Sequence, residues 1–191
     1  MIGWVLLGAA ALFVLWVVIT YNSLISLRNN VQSAWKQIDV QLKRRHDLIP
    51  SLVSAVKGAM EFEQDTLEKV ISARAKAVSS VGTQEKADAE NMLTQTLGKL
   101  FAVMENYPDL KSSANIMQFQ EELTSTENKI SFSRQLYNDL VANYRTRQEV
   151  FPNSVITSLF SGFRKEEYFE AGVADRSVPD ANISIRKSHT C

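Results

Sequence analysis

The sequence predicts an all-α protein, in which an N-terminal transmembrane helix runs on into an antiparallel, up-and-down bundle of three to four long helices. Three observations carry this expectation. Apolar residues recur at steps of three and four over long stretches, the stripe of a helix that buries one face. Glycine and proline are scarce, 7 and 4 among 191 residues, and strand-like alternation is hard to find. The chain opens on 18 apolar residues, Ile2 to Ile19, with no charge before Arg28, and such a run spans about 27 Å as a helix.

That opening run is expected to be a membrane anchor over residues 1–21. Trp4 stands near one end, and Trp16 and Tyr21 near the other, where aromatic belts form. A cleavable signal peptide would need a basic segment before the apolar core and small residues after it; here no Lys or Arg precedes the run, and Ala9-Ala10-Ala11 lies inside it. Arg28 and Lys36 follow the span, so the positive-inside rule favours a body in the cytoplasm and a short N-terminus outside, the alternative being a periplasmic or extracellular body.

From residue 22 the expectation is a helical bundle to about residue 162. Leu24, Leu27, Val31, Ala34/Trp35, Ile38, Leu42, Ile49, Leu52 and Val56 continue one stripe, interrupted by Pro50, which predicts a kink. A weaker stripe resumes at Leu67, Val70 and Ala77, and spacing alone leaves open whether Gly58 turns the chain into a separate hairpin. Ser79 to Asp88 reads as a loop. The next helix shows Met92, Leu93, Leu97, Leu100, Phe101 and Met104, and is expected to stop at Tyr107-Pro108. Ser112 or Ser113 starts a long helix whose stripe is Ile116, Phe119, Leu123, Ile130, Tyr137, Leu140/Val141 and Tyr144; Phe151-Pro152 ends it. Asn153 or Ser154 can cap a short helix to Phe160. Residues 163–191 read as an aromatic, then polar tail, mobile from Val178. Phe160, Phe163, Tyr168 and Phe169 are a candidate partner surface if the bundle does not absorb them; the competing reading is a cap on the bundle's end.

Formal net charge is zero, with 21 basic and 21 acidic residues, so no global field points to nucleic acid. The distribution is uneven: Asn22 to Gly58 carries six basic and two acidic residues, Gln84 to Val150 seven and ten. The cluster Lys43-Arg44-Arg45 admits three readings. As a lipid-headgroup patch it lies about 35 Å along the helix from Tyr21, several Debye lengths of about 8 Å away. As a nucleic-acid footprint it lacks stacking aromatics. The third reading is internal. The stripe passes from Leu42 to Arg45, and the stripe of the long helix passes Glu127 and Arg134; a charge taken out of water needs a partner. A polar layer is therefore expected, with Arg44 or Arg45 on Glu127 and Asp39 or Asp47 on Arg134, fixing helix register.

Catalytic signatures are missing. His46 stands alone on a helix, His189 and Cys191 sit at the tail, and no H-E-x-x-H, G-x-S-x-G, P-loop or dinucleotide fingerprint occurs. The acidic group Glu61, Glu63, Asp65 and Glu68 has no Glu-x-x-His partner of the di-metal kind. No catalytic residue, cofactor or metal site is expected. The partners expected are the bilayer, through residues 1–21, and a protein partner or second copy of the chain, with no nucleic acid and no small-molecule substrate.

The stretch from Tyr21 to Gly58, together with YPDLK, ELTSTENKISFSRQLYNDLV and FPNSVITSLF, resembles the LemA family of bacterial membrane proteins. The usual FFP-type segment reads Val150-Phe151-Pro152 here, SGF follows Leu159-Phe160, and the terminal HTC is not part of the family pattern. The resemblance implies an N-terminal transmembrane helix with a tiny exposed terminus, a four-helix up-and-down bundle and a cytoplasmic body. It links relatives to membrane organisation, including magnetosome formation, and to envelope stress alongside membrane proteases, and it offers no catalytic residue.

Overall fold

The computed structural model describes residues 1–60, 62–160 and 162–169. Glu61, His189, Cys191 and the mobile tail expected from Val178 lie outside them. Among the described residues there are six helices and no strand: α1 (Ile2–Lys57), α2 (Gln64–Ser79), α3 (Thr83–Met104), α4 (Pro108–Lys111), α5 (Ala114–Glu149) and α6 (Asn153–Leu159).

Helix α1 runs 56 residues without interruption from the apolar opening into the body, about 84 Å at 1.5 Å per residue. Its first half is lipid-ready: an 18-residue window of mean hydropathy 2.6 has no residue buried by the rest of the chain. A soluble protein would have to leave Leu6, Leu7, Leu12 and Phe13, each more than 60% exposed, in water. The protein is therefore membrane-anchored.

The body is asymmetric along its length. At the end far from the anchor, the chain turns after Lys57 and α2 returns along α1; α3 runs outward again, and α5 returns beside α1 to the anchor. Four helices thus surround one core that includes Ile49, Leu52, Val56, Val70, Leu93, Leu97, Leu100 and Ile116. Nearer the anchor the core is formed mainly by α1 and α5, around Val31, Ala34, Ile38, Leu42, Ile130, Tyr137, Val141 and Tyr144, with Ala87 of α3 and Phe169 joining it. The hairpin left open by spacing at Gly58 exists. Two boundaries move. Thr83 to Asp88, expected as loop, is the first turn and a half of α3, the turn being confined to residues 80–82 with Gly82 at φ +88°. Helix α3 also ends earlier, at Met104, and Pro108 opens the single turn of α4. Asn153 is the first helical residue of α6, and its amide donates back to the Arg147 carbonyl rather than capping.

The α1–α5 stem has a matched irregularity. Buried residues on α1 run Val31, Ala34, Ile38, Leu42 and those facing them on α5 run Ile130, Ser133, Tyr137, Val141. Both are steps of three, four and four, an eleven-residue repeat inside an otherwise seven-residue pattern. Eleven residues over three turns is slightly more than 3.6 per turn, a spacing that locally unwinds the left-handed supercoil a seven-residue pattern favours.

Pro50 does not break α1. It lacks an N–H, so the carbonyl of His46, four residues back, has no helical donor. Arg74 of α2 supplies one: its Nε donates to that carbonyl at 2.7 Å. The missing backbone bond thus becomes the attachment point of a neighbouring helix. Arg74→Ala is expected to lower stability by about 1–2 kcal/mol, and by less in a Pro50→Ala background, where an amide at position 50 can take the carbonyl. Denaturant unfolding of the four variants measures the difference.

Candidate functional site: a buried polar layer and an aromatic strap

The junction between the four-helix part and the two-helix stem is where charges collect. Arg45 is 2% exposed because its position continues the α1 stripe between Leu42 and Ile49. Its Nη1 lies 2.8 Å from a carboxylate oxygen of Glu127 on α5 and 3.6 Å from one of Glu90 on α3. Its Nη2 donates to Thr94 Oγ1 at 2.8 Å, and that hydroxyl donates to the Glu90 carbonyl at 3.1 Å. His46 Nε2 and Glu90 Oε1 are 2.6 Å apart. Glu90 is 0% exposed. One guanidinium therefore ties α1, α3 and α5 at a single level.

Arg134 of α5 stands in the same region without an ion-pair partner among the described residues. Its Nε and Nη2 are buried and unpaired, and its guanidinium stacks over the Phe169 ring at 4.5 Å. Burial pushes its pKa below the ordinary arginine value, the Arg45 charge adds to this, and Glu127 and Glu90 oppose it. The expected contact of Asp39 or Asp47 with Arg134 does not form. Asp39 instead accepts from Lys86 of α3 at 2.7 Å, and Asp47 is exposed and joins no ion pair among the described residues. The reason is register: both aspartates lie off the buried stripe, one on the side toward α3. Arg44 points outward, 3.7 Å from Glu122 on the surface.

Sequence reasoning missed Glu90. The signal was present: extending the α3 stripe backward from Leu97 and Leu93 lands on Glu90 and Ala87, both fully buried. Reading Ser79 to Asp88 as loop leaves Ala87 outside the helix, and a stripe whose first position is Met92 stops short of the step back to Glu90.

The aromatic segment beyond α6 is an extended strap laid back along α5. Arg145 donates from its guanidinium to the Glu166 carbonyl and stacks over Tyr168 at 4.5 Å. Tyr137 Oη donates to the Glu167 carbonyl at 2.8 Å, and Asn138 both donates to the Phe169 carbonyl and accepts its N–H, at 3.0 and 2.9 Å. Burial, with the nearby Glu166 charge, pushes the Tyr137 phenol up to about 12. Phe169 is 3% exposed and rests on Trp35, 5.7 Å between centroids. Tyr168 and Phe163 are half-buried, and Phe160 remains 41% exposed. Of the four aromatics, then, the bundle absorbs Phe169 fully and two others in part.

Arg45 and Glu90 are buried, while the Glu127 carboxylate at the edge of the layer is partly exposed, and among the described residues no group of three His, Cys, Asp or Glu side chains could hold a metal ion.

The chain is similar in sequence to several known proteins. Protein LemA of Metamycoplasma hominis is 27% identical over 132 residues, covering 68% of this chain and 60% of that protein. Magnetosome protein MamQ 2 of Paramagnetospirillum magneticum is 20% identical over 184 residues, 83% of this chain and 67% of that protein. Magnetosome protein MamQ of Magnetospirillum gryphiswaldense is 20% identical over 183 residues, 82% and 67%. The chain thus spans about three fifths to two thirds of the length of these relatives. The sequence pattern of the LemA family matches residues 34–183, from the stem of α1 through the strap and beyond, and the chain belongs to the LemA family.

Proposed function

We propose that this protein is a membrane-anchored scaffold or adaptor without catalytic chemistry, which holds a rigid helical rod at a fixed place on the bacterial cytoplasmic membrane. The observation that carries the reading is the uninterrupted α1, which joins the lipid-exposed segment to the bundle without a hinge. A rod held this way presents its far end about 50 Å from the surface, counting from Tyr21 to Val56 at 1.5 Å per residue. Three of the inward-facing charges pair with each other: the layer of Arg45, Glu90 and Glu127 sets the relative height of three helices, a registering role that buried polar groups can perform. The body faces the cytoplasm on this reading, on the support of Arg28 and Lys36 just beyond the span. Relatives named as magnetosome proteins support a task in membrane organisation.

With Phe163, Tyr168 and Phe169 engaged by the bundle, a partner finds exposed apolar side chains toward the far end, where Phe62 before α2 is 95% exposed and Ile71 within α2 is 51% exposed. A photo-crosslinker placed at Phe62 or Ile71 in native membranes is expected to give discrete adducts, either a homodimer or one defined protein. Adducts absent at both positions, with the same probe reactive in a denatured control, would count against the adaptor reading.

A further inference from the structure

The corner between α5 and the strap turns at the membrane end of α1. Tyr21 meets Phe160 and Phe163 edge-on, with centroids 5.4 and 5.6 Å apart, and Arg28 donates to the Gly162 carbonyl at 3.4 Å. Thr20 is buried, and Trp16 and Val17 are half-buried, although the rest of the apolar run is open. Protein therefore covers one side of α1 as far as the last turns of its apolar run. The corner stands at the height where the anchor leaves the lipid.

What the corner shows on its other side is apolar. Ile156 of α6 is buried toward the bundle. Val155 and Leu159 of α6, one turn apart, are 55% and 77% exposed, and Phe151 in the turn just before the helix is 78% exposed, flanked by Val150 and Phe160. From Val150 to Phe163 there is no charged residue. An uncharged stripe of large apolar side chains, left uncovered by its own fold, is unfavourable in water.

We propose that this corner is a second membrane contact: α6 lies in the headgroup region of the leaflet from which the body projects, with Phe151, Val155 and Leu159 reaching the acyl boundary. The argument uses continuity with the membrane-spanning segment and does not depend on the adaptor role. Two attachments at one end, α1 through the bilayer and α6 in its surface, determine both the tilt of the rod and its rotation about its axis. One span alone leaves rotation free.

The test uses the full chain in phosphatidylcholine vesicles. Cys191→Ser removes the native thiol; Val155→Cys, Leu159→Cys and, as a control on exposed α5 surface, Lys129→Cys are each labelled with an environment-sensitive fluorophore. The vesicles are floated first, so that failure of the anchor is seen separately from failure of the corner contact. The expected result is blue-shifted emission at 155 and 159 relative to 129, quenched about twofold or more by lipid spin-labelled near the headgroup. Emission at 155 and 159 matching that at 129 overturns the proposal. So does a blue shift that spin-labelled lipid leaves unquenched, since the stripe is then covered by a second copy or another protein.

Discussion

Glu90→Leu is expected to destabilise the protein by about 3–5 kcal/mol, a fall in melting temperature on the order of 10 °C for a chain of this size. The carboxylate is fully buried, 2.6 Å from His46 and 3.6 Å from Arg45. Removing it leaves Arg45 and the already unpaired Arg134 as two buried cations facing one partly exposed carboxylate, Glu127. The penalty is that of an uncompensated charge in a medium of low polarity rather than the loss of one contact. The same logic predicts a rescue. In Glu90→Leu/Arg45→Met, carboxylate and guanidinium leave together, so the double variant is expected to be less destabilised than the sum of the singles. Charge reversal gives a second check: Arg45→Glu and Glu127→Arg are each expected to unfold the stem junction, and their combination to recover part of the loss. Thermal melts followed by circular dichroism in nanodiscs decide it. A double swap no better folded than either single would mean that the layer does not set helix register.

Phe169→Ala is expected to cost about 3 kcal/mol or more. The ring fills the space between Trp35 and Arg134, and its backbone is held both ways by Asn138. Truncation leaves a cavity on one side and removes the ring over which the Arg134 cation stacks. Asn138→Ala is expected to loosen the same segment by a different route, through two lost hydrogen bonds. Limited proteolysis then reads the strap directly: cleavage between residues 163 and 169 should accelerate in both variants, together with a lowered melting temperature. If Phe169→Ala leaves melting unchanged while abolishing co-purification of a partner, the residue belongs to an interaction face instead.

These two expectations turn on different depths of reading. The stripe that passes from Leu42 through Arg45 to Ile49 identifies an inward-facing charge from spacing alone, because 3.6 residues per turn leaves little choice of face. Its partner on α5 follows similarly, since Glu127 interrupts an apolar stripe on the helix that returns beside α1. Asp39 shows where this stops working. Its charge was legible, but its partner Lys86 lies on α3, and only the packing of three helices says which flank of α1 that helix covers. Arg134 makes the same point from the other side. A buried cation stacked on a ring 35 residues further along the chain has no signature at any local spacing.

From residues alone came the all-α class, the lipid-suited opening helix, its continuation into the stem, and the positions that had to face inward, since helical periodicity and apolar burial act over a few turns and are written locally. Tertiary structure decided the rest: that the chain turns at Gly58 to make a four-helix end, that Arg74 answers the carbonyl freed by Pro50, that Glu90 joins Arg45, and that the final aromatics fold back as a strap. Each of these depends on which helix lies beside which. That choice is made by the summed packing of surfaces far apart in the chain, and no single stretch contains it.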